Sequence, residues 1–291
     1  MKKIIITLLS LVLALAFVGC TNTAATTTTA AAAQGDKTRY TGQLSFGLAT
    51  EESLWEDAKE QYGENHIFAN GLGVGPFKLF EDMSSALLAL QRGDIICIAT
   101  NQSTAEYVAA QEPDKYEAVD YGSANHLAFA MVLKEDNQAL LDKLNSAIAA
   151  LKEEGALEAL EKEYLTDLTK LPEVREIPTV EGAETVRVVV TGDQPPFDYV
   201  TADGKAAGYN VALLTAISQK ANLNIELVYA NAGSRYVQLT SGKADVVFWA
   251  RGETKAESAE FSFADDLPQG MTVTEAYLIQ EWRDIMLKTA E

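Results

Sequence analysis

The chain has 291 residues and a formal net charge of −19, from 42 acidic and 23 basic side chains, with two cysteines and two histidines. Such a surface repels nucleic acid and anionic lipid headgroups. His66 and His126 have no spaced partners for structural zinc, and no nucleophile–base arrangement is recognisable, so the expectation is no cofactor, no metal and no enzyme activity.

Residues 1–19 read as a targeting segment. Lys2 and Lys3 precede an apolar run from Ile4 to Val18 that is short for a membrane span, followed by Gly19-Cys20. The cysteine directly after the small residue resembles a bacterial lipoprotein signal, with Cys20 as the lipidated first residue and the membrane reached through that anchor. The alternative is an ordinary cleaved signal with Cys20 incidental. Either way the mature chain works outside the cytoplasm, and losing Lys2 and Lys3 takes the charge from −19 to −21. Thr21–Asp36 is almost entirely Thr and Ala, without hydrophobic periodicity. It is expected to be a disordered tether reaching about 20–25 Å.

Two later segments repeat one pattern. Ser84–Gly93 leads into Asp94–Ala99, and Arg235–Gly242 leads into Lys243–Ala250. Each reads as a helix, a glycine cap, then a strand apolar at successive positions and so buried on both faces. A helix–strand unit in each half implies two similar α/β lobes with parallel βαβ connections. Cys97, in the first of these strand runs, Asp94–Ala99, reads as a buried small hydrophobe. His126–Lys134 reads as a strand. Asn137–Glu153 reads as a helix with Leu140, Leu141, Leu144, Ile148 and Leu151 on one stripe, broken by Gly155. A short helix follows, carrying Leu157, Leu160 and Tyr164, and then Leu171–Glu184, with two prolines, reads as a linker.

Val186–Val190 is a β-branched strand running into the polar turn Thr191-Gly192-Asp193. Pro195-Pro196 then blocks continuation of helix or central strand, Phe197 follows, a hairpin closes through Asp203-Gly204, and a helix begins after Gly208. A stiff loop at the C-terminal end of a strand is where open α/β sheets place ligands.

The second half, through Val188–Phe197, Gly208–Ile217, Leu239–Val247 and Val273–Tyr277, resembles the first lobe of the polar amino-acid type of bacterial solute-binding protein, the extracytoplasmic receptor of ABC importers. The first half, through Ala89–Ile95, Ala105–Tyr107 and Leu140–Gly155, resembles that family's second lobe with its C-terminal helices. The resemblance implies a type II periplasmic-binding-protein-like α/β fold: two three-layer lobes, 37–170 and 185–291, with a hinge and a cleft. The lobe order is reversed, as in a circular permutation joined at 171–184. The rival arrangement is two incomplete copies in tandem, each completed by a neighbouring molecule; a permuted monomer is preferred because the halves are complementary.

The resemblance further implies that a small polar ligand binds between closing lobes and that the closed form is read by an ABC permease. The alternatives are a sensing subunit for a separate signalling partner and, lastly, a cleft enzyme. Asp193 is expected to meet a ligand ammonium, Phe197 to form an apolar wall, and Arg235 to meet a ligand carboxylate. Trp249, Thr50 and Asn101 complete the expected lining. Arg235 has a surface ion-pair reading beside this one, Trp249 a core reading, and Thr50 and Asn101 a capping reading. The family's carboxylate-gripping arginine is missing from Lys255–Ser258, with Arg251 too early, and Asn101 stands where the family has a carboxylate. The ligand class therefore extends to modified amino acids, small peptides and amines.

Overall fold

The computed structural model describes residues 40–45, 50–62, 76–120, 122, 125–255, 261–262 and 267–288. Cys20 and the Thr/Ala run lie outside the described residues. The first part of the chain carries β1 (Thr41–Leu44), α1 (Glu51–Tyr62), β2 (Phe77–Phe80), α2 (Met83–Arg92), β3 (Cys97–Asn101), α3 (Gln102–Gln111) and β4 (Tyr116–Val119). Strand β1 lies between β2 and β3 and is parallel to both. In α2, Asp82 accepts from the Ser85 amide at 2.7 Å, while Met83, Ala86, Ala89 and Leu90 turn one apolar stripe onto the strands. Their core also takes in Leu44, Ile95, Ile98, Tyr116 and Ile285.

The second part carries β5 (Asn125–Lys134), α4 (Gln138–Glu153), α5 (Ala156–Leu165), β6 (Glu184–Val190), β7 (Asp193–Gln194), β8 (Asp198–Val200), β9 (Ala206–Ala207) and α6 (Tyr209–Ala221). It continues with β10 (Leu223–Tyr229), α7 (Arg235–Thr240), β11 (Val246–Lys255), β12 (Phe261–Ser262), β13 (Met271–Val273) and β14 (Leu278–Leu287). Strand β6 sits between β10 and β11, parallel to both. Arg187 clamps this arrangement, forking onto Asp245 at 3.0 and 2.8 Å and also reaching the Gly242 carbonyl. Asp245 thus ties β6 to the turn before β11, and its hydrogen bonds from Arg187 hold its pKa low.

The two parallel sets join in one sheet of order β10-β6-β11-β5-β14-β3-β1-β2. Both joining strands are antiparallel to their neighbours. Strand β5 pairs with β11, while β14 pairs with β5 over Leu278–Glu281 and then with β3 over Trp282–Ile285. The mixed α/β class and the parallel helix–strand units agree with expectation. The division of cores differs from the expected 37–170 and 185–291. Helices α4 and α5 place Leu144, Ile148, Leu157 and Leu160 in the same core as Val186, Val188 and α6, so the chain changes cores between β4 and β5, ahead of 171–184. The reason is that the apolar stripe of α4 finds its partner on α6.

A separate three-stranded meander, β7-β8-β9, shapes the loop after β6. Its organiser is Asp198, a buried carboxylate. It accepts from the Thr191 hydroxyl at 2.6 Å and from the Gly192 amide on one oxygen, and from the Asn210 amide nitrogen at 2.8 Å on the other. Gly208, before α6, has φ +105°, and a Cβ there would lie 2.3 Å from the Phe197 carbonyl oxygen. Only glycine fits that junction.

Two expectations follow. Asp198→Ala leaves Thr191, Gly192 and Asn210 without their acceptor and should lower unfolding free energy by about 2–4 kcal/mol in a urea titration. Asp284 in β14 is buried, and burial, offset in part by a hydrogen bond from Cys97, pushes its pKa up to about 6. A carboxyl whose folded pKa is raised destabilises the fold once it must ionise. The penalty is absent below the unfolded value of about 3.9 and complete above about 6. Asp284→Asn should therefore raise stability by up to about 3 kcal/mol at pH 7.5 and by almost nothing at pH 4, read from melts at the two pH values.

Candidate functional site

Parallel strands leave unpaired polar groups and adaptable loops at their C-terminal ends, which is where this sheet class binds ligands. Here the ends of the two parallel sets meet along a seam. The first set brings Gln43 in β1, Glu81 and Asp82 after β2, and Asn101 at the end of β3. The second brings Thr191–Asp193 after β6, Asn231–Gly233 after β10, and Trp249–Arg251 within β11.

Three groups of contacts cross the seam. The Gly233 amide donates to a Glu81 carboxylate oxygen at 2.9 Å. With the Gln43 amide assigned so that its oxygen faces the guanidinium, Arg251 directs both terminal nitrogens at that oxygen, and its guanidinium lies 5.1 Å from the Trp282 ring centroid. The Ser103 amide and hydroxyl, at the start of α3, both donate to the Gln280 side-chain oxygen of β14, at 3.0 and 2.8 Å.

Of the six residues expected to line the site, Asp193 stands at the rim of this seam. The residue as a whole is exposed, yet its pKa is pushed up to about 6, first by desolvation of the carboxylate, then by the charge of Asp198, and to a smaller degree by Asp82 across the seam. The Thr191 hydroxyl opposes the shift.

The other five have structural employment. Phe197 is 0 % exposed, with its ring 3.9 Å from Trp249, 6.1 Å from Tyr209 and 6.4 Å from Phe129. It is a core residue and not a wall open to the seam, because the buried Asp198 beside it holds the loop with the ring turned inward. Trp249 is likewise core. The register of β11 shifts between Val247 and Ala250, and Trp249 takes φ +66°, which turns its indole onto Phe129 at 4.4 Å. Arg235 is 1 % exposed and donates to the carbonyls of Trp249 at 2.8 Å and Ala232 at 3.2 Å. It braces the bend in β11 from the first turn of α7, and burial lowers its pKa. A ligand carboxylate does not reach it in this arrangement.

Thr50 and Asn101 follow their capping readings. Thr50 and Ser53 exchange amide-to-hydroxyl bonds of 2.9 and 3.1 Å at the start of α1. Asn101 is buried, accepts from the Thr104 amide and donates to its hydroxyl, both at 3.0 Å.

Several seam residues escaped the sequence reading. Arg251 comes too early for the family's carboxylate-gripping arginine, although a guanidinium inside the apolar run Val246–Gly252 is a signal in itself. Glu81 and Asp82 follow a short strand without a motif. Gly233 is ordinary by composition, and its role appears only when Glu81 is seen against it. Among the described residues no group of three or more His, Cys, Asp or Glu could hold a metal, and no helix is long and apolar enough to cross a membrane. Cys97 is buried beside Thr41 and Asp284, and its thiol pKa is raised mainly by that burial.

Residues 186–281 match the model of bacterial extracellular solute-binding proteins, family 3, a span of 96 of the 291 residues. No curated protein matches the chain. Among solved structures, the GluR0 ligand-binding core in complex with L-glutamate is similar at 9 % identity, covering 88 % of this chain and 87 % of its own, with a TM-score of 0.41. The probable amino-acid ABC transporter extracellular-binding protein YtmK of Bacillus subtilis is similar at 10 % identity, with coverages of 88 % and 87 % and a TM-score of 0.39. An ancestral arginine-binding protein bound to arginine is similar at 14 % identity, with coverages of 87 % and 85 % and a TM-score of 0.38. These TM-scores are low, and the weight rests on the family match: the segment from β6 into β14 is similar to extracellular solute-binding proteins of family 3.

Proposed function

We propose that this chain is an extracytoplasmic solute-binding receptor that captures a small polar ligand in the seam between its two parallel strand sets and presents it to an ABC permease. The observation that carries the reading is the family match over 186–281, which spans the Thr191–Asp193 loop at the rim of the seam. In this reading Cys20 carries the lipid anchor and the Thr/Ala run is the tether. The chain acts as a monomer of permuted lobe order. That order is supported by the pairing of β14 with both β5 and β3 within one chain, so that each half is completed without a neighbour. Two antiparallel strands shared by the halves are also a natural hinge, since they can flex without breaking either core.

Asp193 is the group proposed to meet the ligand. A carboxylate flanked by Asp198 and Asp82 is relieved by a cation, so the ligand is proposed to carry an ammonium or another strong hydrogen-bond donor toward it. Arg251, on the opposite side of the chemistry, already engages Gln43, and an anionic ligand group would have to displace that amide.

A thermal-shift screen against amino acids, amines, small peptides and sugars tests the reading, because a ligand that binds only the folded state raises the melting temperature. The expected hits carry an ammonium group. No shift from any class at millimolar concentration would sink the proposal. For a hit, Asp193→Asn should weaken binding about tenfold or more, the loss of one charge-assisted contact. The sign of the pH effect follows from the raised pKa: Asp193 is ionised and binding is strongest at pH 7.5, and affinity for a cationic ligand falls about tenfold by pH 5 as the carboxyl protonates. Calorimetry at the two pH values reads both effects.

A further inference from the structure

Glu81 and Gly233 are 152 positions apart in sequence, and their contact crosses the seam. Glu81 is held in the turn between β2 and α2, immediately before Asp82, whose carboxylate caps α2 through the Ser85 amide and hydroxyl at 2.7 and 2.9 Å. Gly233 lies in the 3₁₀ turn Ala232–Ser234, fixed by the Asn231 side chain accepting from the Ser234 amide at 3.0 Å. Both ends of the contact are thus pinned to their own half.

The glycine is informative. Gly208 needs its missing Cβ because of its backbone angle, but Gly233 has no left-handed φ that would call for glycine. What a Cβ at Gly233 would meet is the Glu81 carboxylate, with both oxygens 2.5 Å away. The open face of this residue therefore serves the approach of a side chain from the other half. It serves no turn of its own.

Beside this attraction the seam carries a repulsion. The charge of Asp82 adds a small share to what disfavours the ionised form of Asp193, behind burial and Asp198.

We infer that the Glu81 carboxylate on the Gly233 amide is a latch between the two halves, holding the seam shut before ligand arrives. The inference rests on the reading of the chain as two halves that close on a ligand. A ligand that touches both halves shifts the balance further toward the shut form. Because the atom that a Cβ at 233 would meet is the end of a flexible side chain, Gly233→Ala displaces Glu81 and leaves the backbone in place.

The test is a spin-label distance measurement between positions 88 and 237. Leu88 on α2 and Val237 on α7 are both exposed and lie one on each half. Cysteines replace both in the full chain, with Cys20→Ser to prevent labelling there; Cys97 is buried and stays. The latch predicts one short distance in the parent. Gly233→Ala and, separately, Glu81→Ala should each raise the ratio of long to short distances about five- to tenfold, as for one lost charge-assisted hydrogen bond at an exposed site. Circular dichroism and melting temperature should be almost unchanged. Glu81→Gln, which keeps a carbonyl acceptor, should fall between parent and Glu81→Ala. If both alanine variants keep the parent's distances while screen compounds that raise the melting temperature alter them, the latch is wrong and two-half closure stands. If neither variants nor any compound of the panel changes the distances, both the latch and the closing reading fail.

Discussion

The constraint on which the rest of the structure depends is that β14 belongs to both halves of the sheet. Its first four residues pair with β5 and its next four with β3, with Leu278 opposite Phe129 and Trp282 opposite Asn101. Without it, β5 and β3 would each expose a row of amides and carbonyls in the middle of the molecule, a cost no buried backbone bears. Because one strand serves both ladders, its register sets where the C-terminal ends of the two parallel sets lie against each other. Gln280 and Trp282, at the changeover, carry that register into side chains: one accepts from the start of α3 and the other lies under Arg251. The seam is a consequence of strand pairing before it is a consequence of any polar contact.

Within that frame the charged groups divide by depth. Arg235 and Asp198, both buried, bind carbonyls, amides and hydroxyls of their own half. They fix the bend of β11 and the loop after β6. Burying either charge is tolerable only with such partners. The groups that cross the seam are shallower: Glu81, Asp82 and Asp193 are exposed or partly so. Screening keeps each of these contacts weak, which is what a reversible approach between halves requires. Arg251 is intermediate, buried on one half yet engaging Gln43 of the other.

The fold was largely legible because its helices and parallel strands are driven by pattern. The apolar stripe of α4, the continuous apolar runs Ile95–Ala99 and Val246–Phe248, and the turn before α6 each announce their element. Strand β14 does not. Its sequence, Leu-Ile-Gln-Glu-Trp-Arg-Asp-Ile-Met-Leu, sets Gln280 and Asp284 among Leu278, Trp282 and Met286 on the face that stays buried or half-buried, and puts Ile279 on the exposed one, so apolar and polar residues do not alternate with the burial. The site was less legible for a related reason. Residues chosen for chemical type alone, Phe197, Arg235 and Trp249, went to the core, where an aromatic ring or a satisfied guanidinium contributes more than at a rim. Asp198 was hidden because a lone acid in a short strand has no pattern, and its three partners come from positions 191, 192 and 210. Asp193 could be picked out because it follows directly on a recognisable strand end.

The glycines separate what the fold needs from what the seam needs. At Gly208 the backbone itself occupies a region closed to side chains and packs on the Phe197 carbonyl, so the residue is demanded by the half in which it sits. At Gly233 the backbone would accept any residue, and the exclusion comes from the far side of the seam. Substitution at the first position attacks the fold of the loop that carries Asp193. Substitution at the second leaves that loop whole and alters only how nearly the other half approaches. A chain in which both kinds of position coexist has the interior of each half specified more tightly than the approach of one half to the other, because the first is fixed by backbone geometry and the second by the end of one flexible side chain.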